Sequence, residues 1–259
     1  MVSSHASQVR ALRQRLHDLQ RAGLTHLPRA EGQSVDRNVG TSQRSKETGQ
    51  PLTDCLSTTN GGSPIVSLTQ KRKQLQVLNE EVAPCTRCEI LAQGRTQTVF
   101  GVGNPDAELC FIGEAPGRDE DKKGEPFVGR AGQLLDRIIV ACNMTREEVY
   151  ISNILKCRPP DNRNPLPDEV AHCRTFLNKQ LEIVKPRFIC TLGGVASQTL
   201  LEVQQSMAKL RGQFYSYLNS QVMCTYHPAY LLRNPAAKAM VWEDMKMLMA
   251  AMGRPIESK

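Results

Sequence analysis

Hydrophobic positions are unevenly distributed along the chain. Large apolar residues are sparse from 31 to 64, whereas from 65 onward they recur with regular spacing. The run from Leu68 to Glu81 has helical periodicity, and Leu109–Gly113 (LCFIG) is a short apolar run ending in glycine, as a buried strand would be. Leu134, Leu135, Ile138 and Ile139 mark one side of a helix predicted over 129–143, and VYISN at Val149–Asn153 predicts the next strand. Pro167 opens a helix reaching Val184, in the first-turn position that proline favours. Beyond it, RFICTLG at Arg187–Gly193 predicts a strand and Val195–Leu201 a helix. Gln213–Leu218 and Gln221–Tyr226 predict a hairpin across Asn219, and Pro235–Met252 a closing helix.

This alternation predicts a three-layer α/β/α domain over 65–259, with a mostly parallel central sheet of about four strands covered on both faces. Ligands of such sheets sit beyond the carboxyl ends of the strands. The segments that begin at Gly113, Asn153 and Tyr226 are therefore where a site is expected.

Upstream, Val9, Leu12, Leu16, Leu19 and Leu27 alternate with Arg10, Arg13, Arg15 and Arg21, which predicts a short basic amphipathic helix within residues 1–30. A solvated tail or an Arg-rich presequence fits the same pattern. Residues 31–64 are rich in Gly, Ser, Thr and Gln and hold no aromatic residue, since all aromatics lie beyond position 99. Such a segment buries too little to offset its ordering entropy and reads as a disordered linker.

Charge and cysteine content narrow the class. The 259 residues include 33 Lys and Arg against 26 Asp and Glu, a net charge of +7, which suits a polyanionic partner. No apolar run approaches the roughly 20 residues of a membrane-spanning helix, and the start lacks a secretory apolar stretch. Nine cysteines, an odd number without such a signal, point to a reducing, bacterial-type cytoplasm and away from a disulfide scaffold.

Cys85 and Cys88 form C-x2-C, and Cys157 and Cys173 make a second, wider pair. Four thiolates can complete a tetrahedral sulfur shell, their spacing does not choose between zinc and an iron-sulfur cluster, and four buried cysteines without a metal fit the same pattern. Cys110, Cys142, Cys190 and Cys224 fall in predicted apolar elements, where small buried thiols are common, and Cys55 falls in the linker.

At the first strand end, Gly113-Glu114-Ala115-Pro116-Gly117 combines a glycine-bounded turn with a carboxylate, followed by Arg118-Asp119-Glu120-Asp121, suited either to hold a ligand or water or to form a solvated acidic loop. Phe127 lies in a short polar stretch, suited either to stacking on a base or to core packing. Asn153 carries the donor and acceptor that nucleobase-edge recognition requires, although asparagine is more often a turn residue, and the same holds for Asn162. His227 precedes a proline at a strand end, placed either to donate to a developing anion or to be satisfied by backbone.

Taken together, C-T-R-C, G-E-A-P-G-R-D-E-D, E-P-F-V-G-R-A-G-Q-L-L, N-I-L-K-C-R-P-P, H-C-R-T and H-P-A-Y-L-L-R-N-P occur in an order that resembles the family 4 uracil-DNA glycosylases, the iron-sulfur branch of that superfamily. The resemblance runs from Cys85 to about Met249 and leaves out the tail and linker. It implies a 4Fe-4S cluster on Cys85, Cys88, Cys157 and Cys173, structural in role. It implies that Glu114 and Asn162 serve the catalytic water or the cationic sugar and that Phe127 stacks on uracil. Asn153 would read the base's polar edge, and His227 would bind the carbonyl oxygen that gains charge. Glu120 would exclude the thymine methyl, and Ala115 would contact the base through its backbone. Ala115 stands where single-step relatives carry an aspartate, so the water-activating residue is left open. Leu231, Leu232 and Arg233 are expected at the DNA, either leucine as the wedge and Arg233 with its neighbours as phosphate contact.

The implied activity is that of a monomeric, monofunctional glycosylase removing uracil from DNA in base excision repair. A non-catalytic metal-containing nucleic-acid-binding protein and an electron-transfer protein are the competing readings of the same motifs.

Overall fold

The computed structural model describes residues 67–256. The helix expected within 1–30, the linker 31–64 and Cys55 lie outside the described residues.

Six strands form one sheet in the order β1-β3-β2-β4-β6-β5. They are β1 (Val102–Gly103), β2 (Leu109–Gly113), β3 (Tyr150–Asn153), β4 (Phe188–Leu192), β5 (Phe214–Tyr217) and β6 (Ser220–Thr225). The four inner strands run parallel, and β1 and β5 flank them antiparallel. The sheet is wider than the sequence pattern predicts because β1, only two residues long, carries no periodicity and the hairpin strand β5 joins the same sheet.

Strand side chains alternate between the faces, as the two-residue period demands. Cys110, Ile112, Ile189, Val222 and Cys224 pack on one side, with Leu75 and Leu78 of the helix Leu68–Val82 and Phe176 and Leu181 of the helix Pro167–Val184. Leu109, Phe111, Phe188, Cys190 and Met223 pack on the other, with Leu135 and Ile139 of the helix Arg130–Ala141 and Met245 and Leu248 of the helix Lys238–Ala251. Each inner strand is thus buried on both faces, which explains its unbroken apolar sequence. The carboxyl ends of β2, β3 and β6 leave Gly113, Asn153 and Thr225 at one edge, each followed by a segment free to bear chemistry.

Candidate active site and cysteine cluster

A cavity of about 460 Å³ opens at this edge, and Glu114, Ala115, Glu120, Phe127, Asn153, Asn162, His227 and Arg233 all line it. The loops after β2, β3 and β6 therefore meet in one pocket, although Glu114 and His227 are far apart in sequence.

Asn153 is the last residue of β3 and is 2% exposed. Its Oδ1 is the one buried side-chain polar atom without a hydrogen-bond partner among the described residues. Such an orphan acceptor is costly in a folded protein unless a ligand completes it. Lys156, itself buried, donates to the Asn153 carbonyl at 2.8 Å and to Ser152 Oγ at 2.7 Å, fixing the backbone from which the carboxamide projects.

Phe127 is buried and its backbone is left-handed, with φ of 55°, a strained state for an aromatic residue. Its ring rests on Gly113, where an added Cβ would lie 2.6 Å from Cζ. The ring centroid is 5.6 Å from that of His227, at an interplanar angle of 31°. Glu120 secures this loop: its Oε1 accepts from the backbone N–H groups of Val128 at 3.0 Å and Gly129 at 2.9 Å. Gly132, one turn into the following helix, lets that helix close on the loop, since a Cβ there would collide with the Phe127 carbonyl.

His227 caps the short helix Pro228–Arg233: the Ala229 N–H donates to its Nδ1 at 3.1 Å. A ring that accepts at Nδ1 carries its proton on Nε2 and is a neutral donor. Burial, aided by the positive charge of Arg233 and opposed by Glu120, lowers its pKa to about 4. The Glu114 carboxyl moves the other way, raised by burial. Asn162 is exposed in a turn where Asp161 and Asn162 are both left-handed, and its Oδ1 accepts from Arg158 Nε at 2.8 Å.

The neighbouring leucines part company. Leu231 is buried in the core at 1% exposure, so it is not available as a wedge, whereas Leu232 is 37% exposed. Sequence reasoning passed over Tyr230, which lines the pocket and stacks on Tyr226 at 5.0 Å, and also the Glu120 tether and Gly132. A small residue one turn beyond a loop aromatic was the available signal for Gly132.

Cys157 and Cys173 are buried, Cys85 and Cys88 half-buried, and all four pack in the same core cluster. Burial first, and then the charges of Cys173, Cys157, Glu169 and Cys85, push the Cys88 thiol up to about 11. Arg95 Nη1 donates to Cys157 Sγ at 2.9 Å. Among the described residues, no three His, Cys, Asp or Glu side chains converge tightly enough for a single metal ion.

Fold and pocket together define an α/β domain with a small polar ligand site at the carboxyl edge of its sheet. Residues 100–246 match the uracil DNA glycosylase superfamily. The type-4 uracil-DNA glycosylase of Thermotoga maritima is 42% identical over 180 residues, 68% of this chain and 93% of that protein. That of Archaeoglobus fulgidus is 40% identical over 184 residues, 68% and 92% of the two chains. A type-5 uracil-DNA glycosylase of Pyrobaculum aerophilum is 35% identical over 146 residues, 50% and 64%. The chain belongs to the type-4 family of the uracil-DNA glycosylase superfamily.

Proposed function

We propose that the pocket takes uracil extruded from DNA and hydrolyses its N-glycosidic bond, leaving an abasic site, without cutting the strand. The observation that carries this reading is the buried, unpaired Oδ1 of Asn153 beside the Phe127 ring. An acceptor without a donor, set next to an aromatic face, is complementary to a planar base with an N–H on its edge. Extrusion costs a few kcal/mol of lost stacking and pairing, which these contacts offset.

Bond cleavage leaves negative charge on the base and an oxocarbenium-like sugar. His227 offers a neutral Nε2–H to the carbonyl oxygen where the negative charge collects. Glu114 and Asn162 face the sugar, the carboxylate opposing its positive charge and the pair orienting the attacking water. Glu120 forms the wall against the thymine methyl. Because two backbone N–H groups hold its carboxylate, that wall does not yield, and the Ala115 backbone closes the pocket beside it. Leu232 and Arg233 meet the DNA, as wedge and phosphate contact. We take the protein to act as a monomer.

Cys85, Cys88, Cys157 and Cys173 fit a 4Fe-4S cluster. The donor set is all sulfur, and the four residues pack in one core cluster. When bound, the cluster supplies structural cross-linking. The reducing compartment expected from the cysteine content keeps such thiols available.

The test is a uracil-containing oligonucleotide treated with alkali after incubation. One break at the uracil position is expected, and His227→Leu lowers the rate about 10²–10³-fold. Absence of any break with metal-replete protein overturns the reading.

A further inference from the structure

A second cleft of about 340 Å³ adjoins the pocket and shares Glu120, Ala131 and Asn162 with it. Its remaining walls carry three arginines, Arg118, Arg130 and Arg158, against one further carboxylate, Asp119. Arg118 is 70% exposed and approaches Asp119 only to 4.0 Å, at the limit of an ion pair. Arg130 has no hydrogen-bond or ion-pair partner among the described residues. Arg158 commits only Nε, to Asn162, and leaves both terminal nitrogens open. Glu120 is already engaged by the Val128 and Gly129 N–H groups. The helix Arg130–Ala141 also begins here without a side-chain cap, so its terminal N–H groups add positive partial charge.

Three guanidinium groups with free donors in a polar cleft suit phosphate oxygens, which they grip through paired N–H bonds. We infer that this cleft seats the sugar-phosphate backbone flanking the extruded nucleotide, with Arg118, Arg130 and Arg158 as its phosphate contacts. The inference rests on the uracil-excision reading above, which brings a DNA strand to the pocket mouth. It also gives the Arg158–Asn162 bond a purpose. A phosphate on the outer nitrogens of Arg158 stiffens the left-handed turn that presents Asn162 to the pocket, so seating of the strand and order in the site are linked.

The test measures binding of the full chain to a single-stranded oligonucleotide bearing 2′-fluoro-2′-deoxyuridine, which resists hydrolysis, over a range of salt concentrations. Arg118→Gln and Arg130→Gln are each expected to reduce the slope of log affinity against log salt by about 0.7, and together by about twice that. Affinity for free uracil stays as in the unsubstituted protein, and Lys73→Gln, in a separate groove between the helices Leu68–Val82 and Pro167–Val184, leaves the slope unchanged. The inference fails if the double variant keeps the original slope, or if Lys73→Gln lowers it equally. A protein that shows the expected slope changes but excises no uracil refutes the uracil reading and leaves the phosphate cleft standing.

Discussion

His227 and Glu114 are displaced in opposite directions by the same cause, removal from water. The imidazole falls to about 4 and the carboxyl rises above its ordinary value. Acidification therefore protonates Glu114 first, while His227 remains a neutral donor until about pH 4. Single-turnover excision rates should be level through neutrality and fall on the acid side, with the fall beginning above the usual carboxylate range. Glu114→Gln should lower the neutral rate by about 10²–10⁴-fold and erase that acid limb, leaving only the drop near the histidine's own titration. A limb that survives in Glu114→Gln would assign it to another group. At this scale the sequence located Asn153 and His227 at the pocket, because the first ends β3 and the second follows β6. It placed Phe127 in the pocket but not its left-handed backbone, which leaves no compositional trace, and it failed for Leu231, because two adjacent leucines on a one-turn helix look alike until one of them is seen in the core.

Among the elements, the inner strands and long helices were legible because burial on both faces imposes continuous apolar runs and one-sided periodicity. The helix Arg118–Lys123 was not: RDEDKK has no apolar stripe and reads as an acidic loop. It is anchored instead by buried Asp121, which accepts from the Thr96 N–H at 2.9 Å and from its Oγ1 at 2.7 Å. That anchor positions Glu120, and Glu120 in turn holds the Phe127 loop against the next helix. The tightness of this junction makes Gly132 a sensitive position. Gly132→Ala should destabilise the domain by about 1–3 kcal/mol, as overpacking does, and weaken uracil binding by displacing Phe127. Urea denaturation together with a uracil titration checks both effects, and a stable variant with unaltered affinity would show that the junction has slack.

Over the whole molecule, the four cysteines join parts of the chain that the sheet alone does not. Cys85 and Cys88 precede the first strand, Cys157 follows β3, and Cys173 lies within the helix Pro167–Val184. On the iron-sulfur reading proposed above, substituting Cys157→Ser should remove the cluster's brown absorbance and lower Tm by several degrees, since 1 kcal/mol corresponds to about 2–4 °C at this size. Visible spectra and thermal melts of the two proteins decide it, and an unchanged spectrum would exclude Cys157 as a ligand. The unpaired Oδ1 of Asn153 bears on a harder task, scanning a genome in which cytosine vastly outnumbers its deaminated product. Cytosine offers a lone pair where uracil offers N3–H, so on this reading the parent base would set its acceptor against the buried Oδ1 of Asn153. Sites that leave a buried polar atom unmatched reject the wrong ligand by about 10⁴-fold or more. On the reading proposed above, a single missing hydrogen bond in the resting fold would thereby spare undamaged DNA.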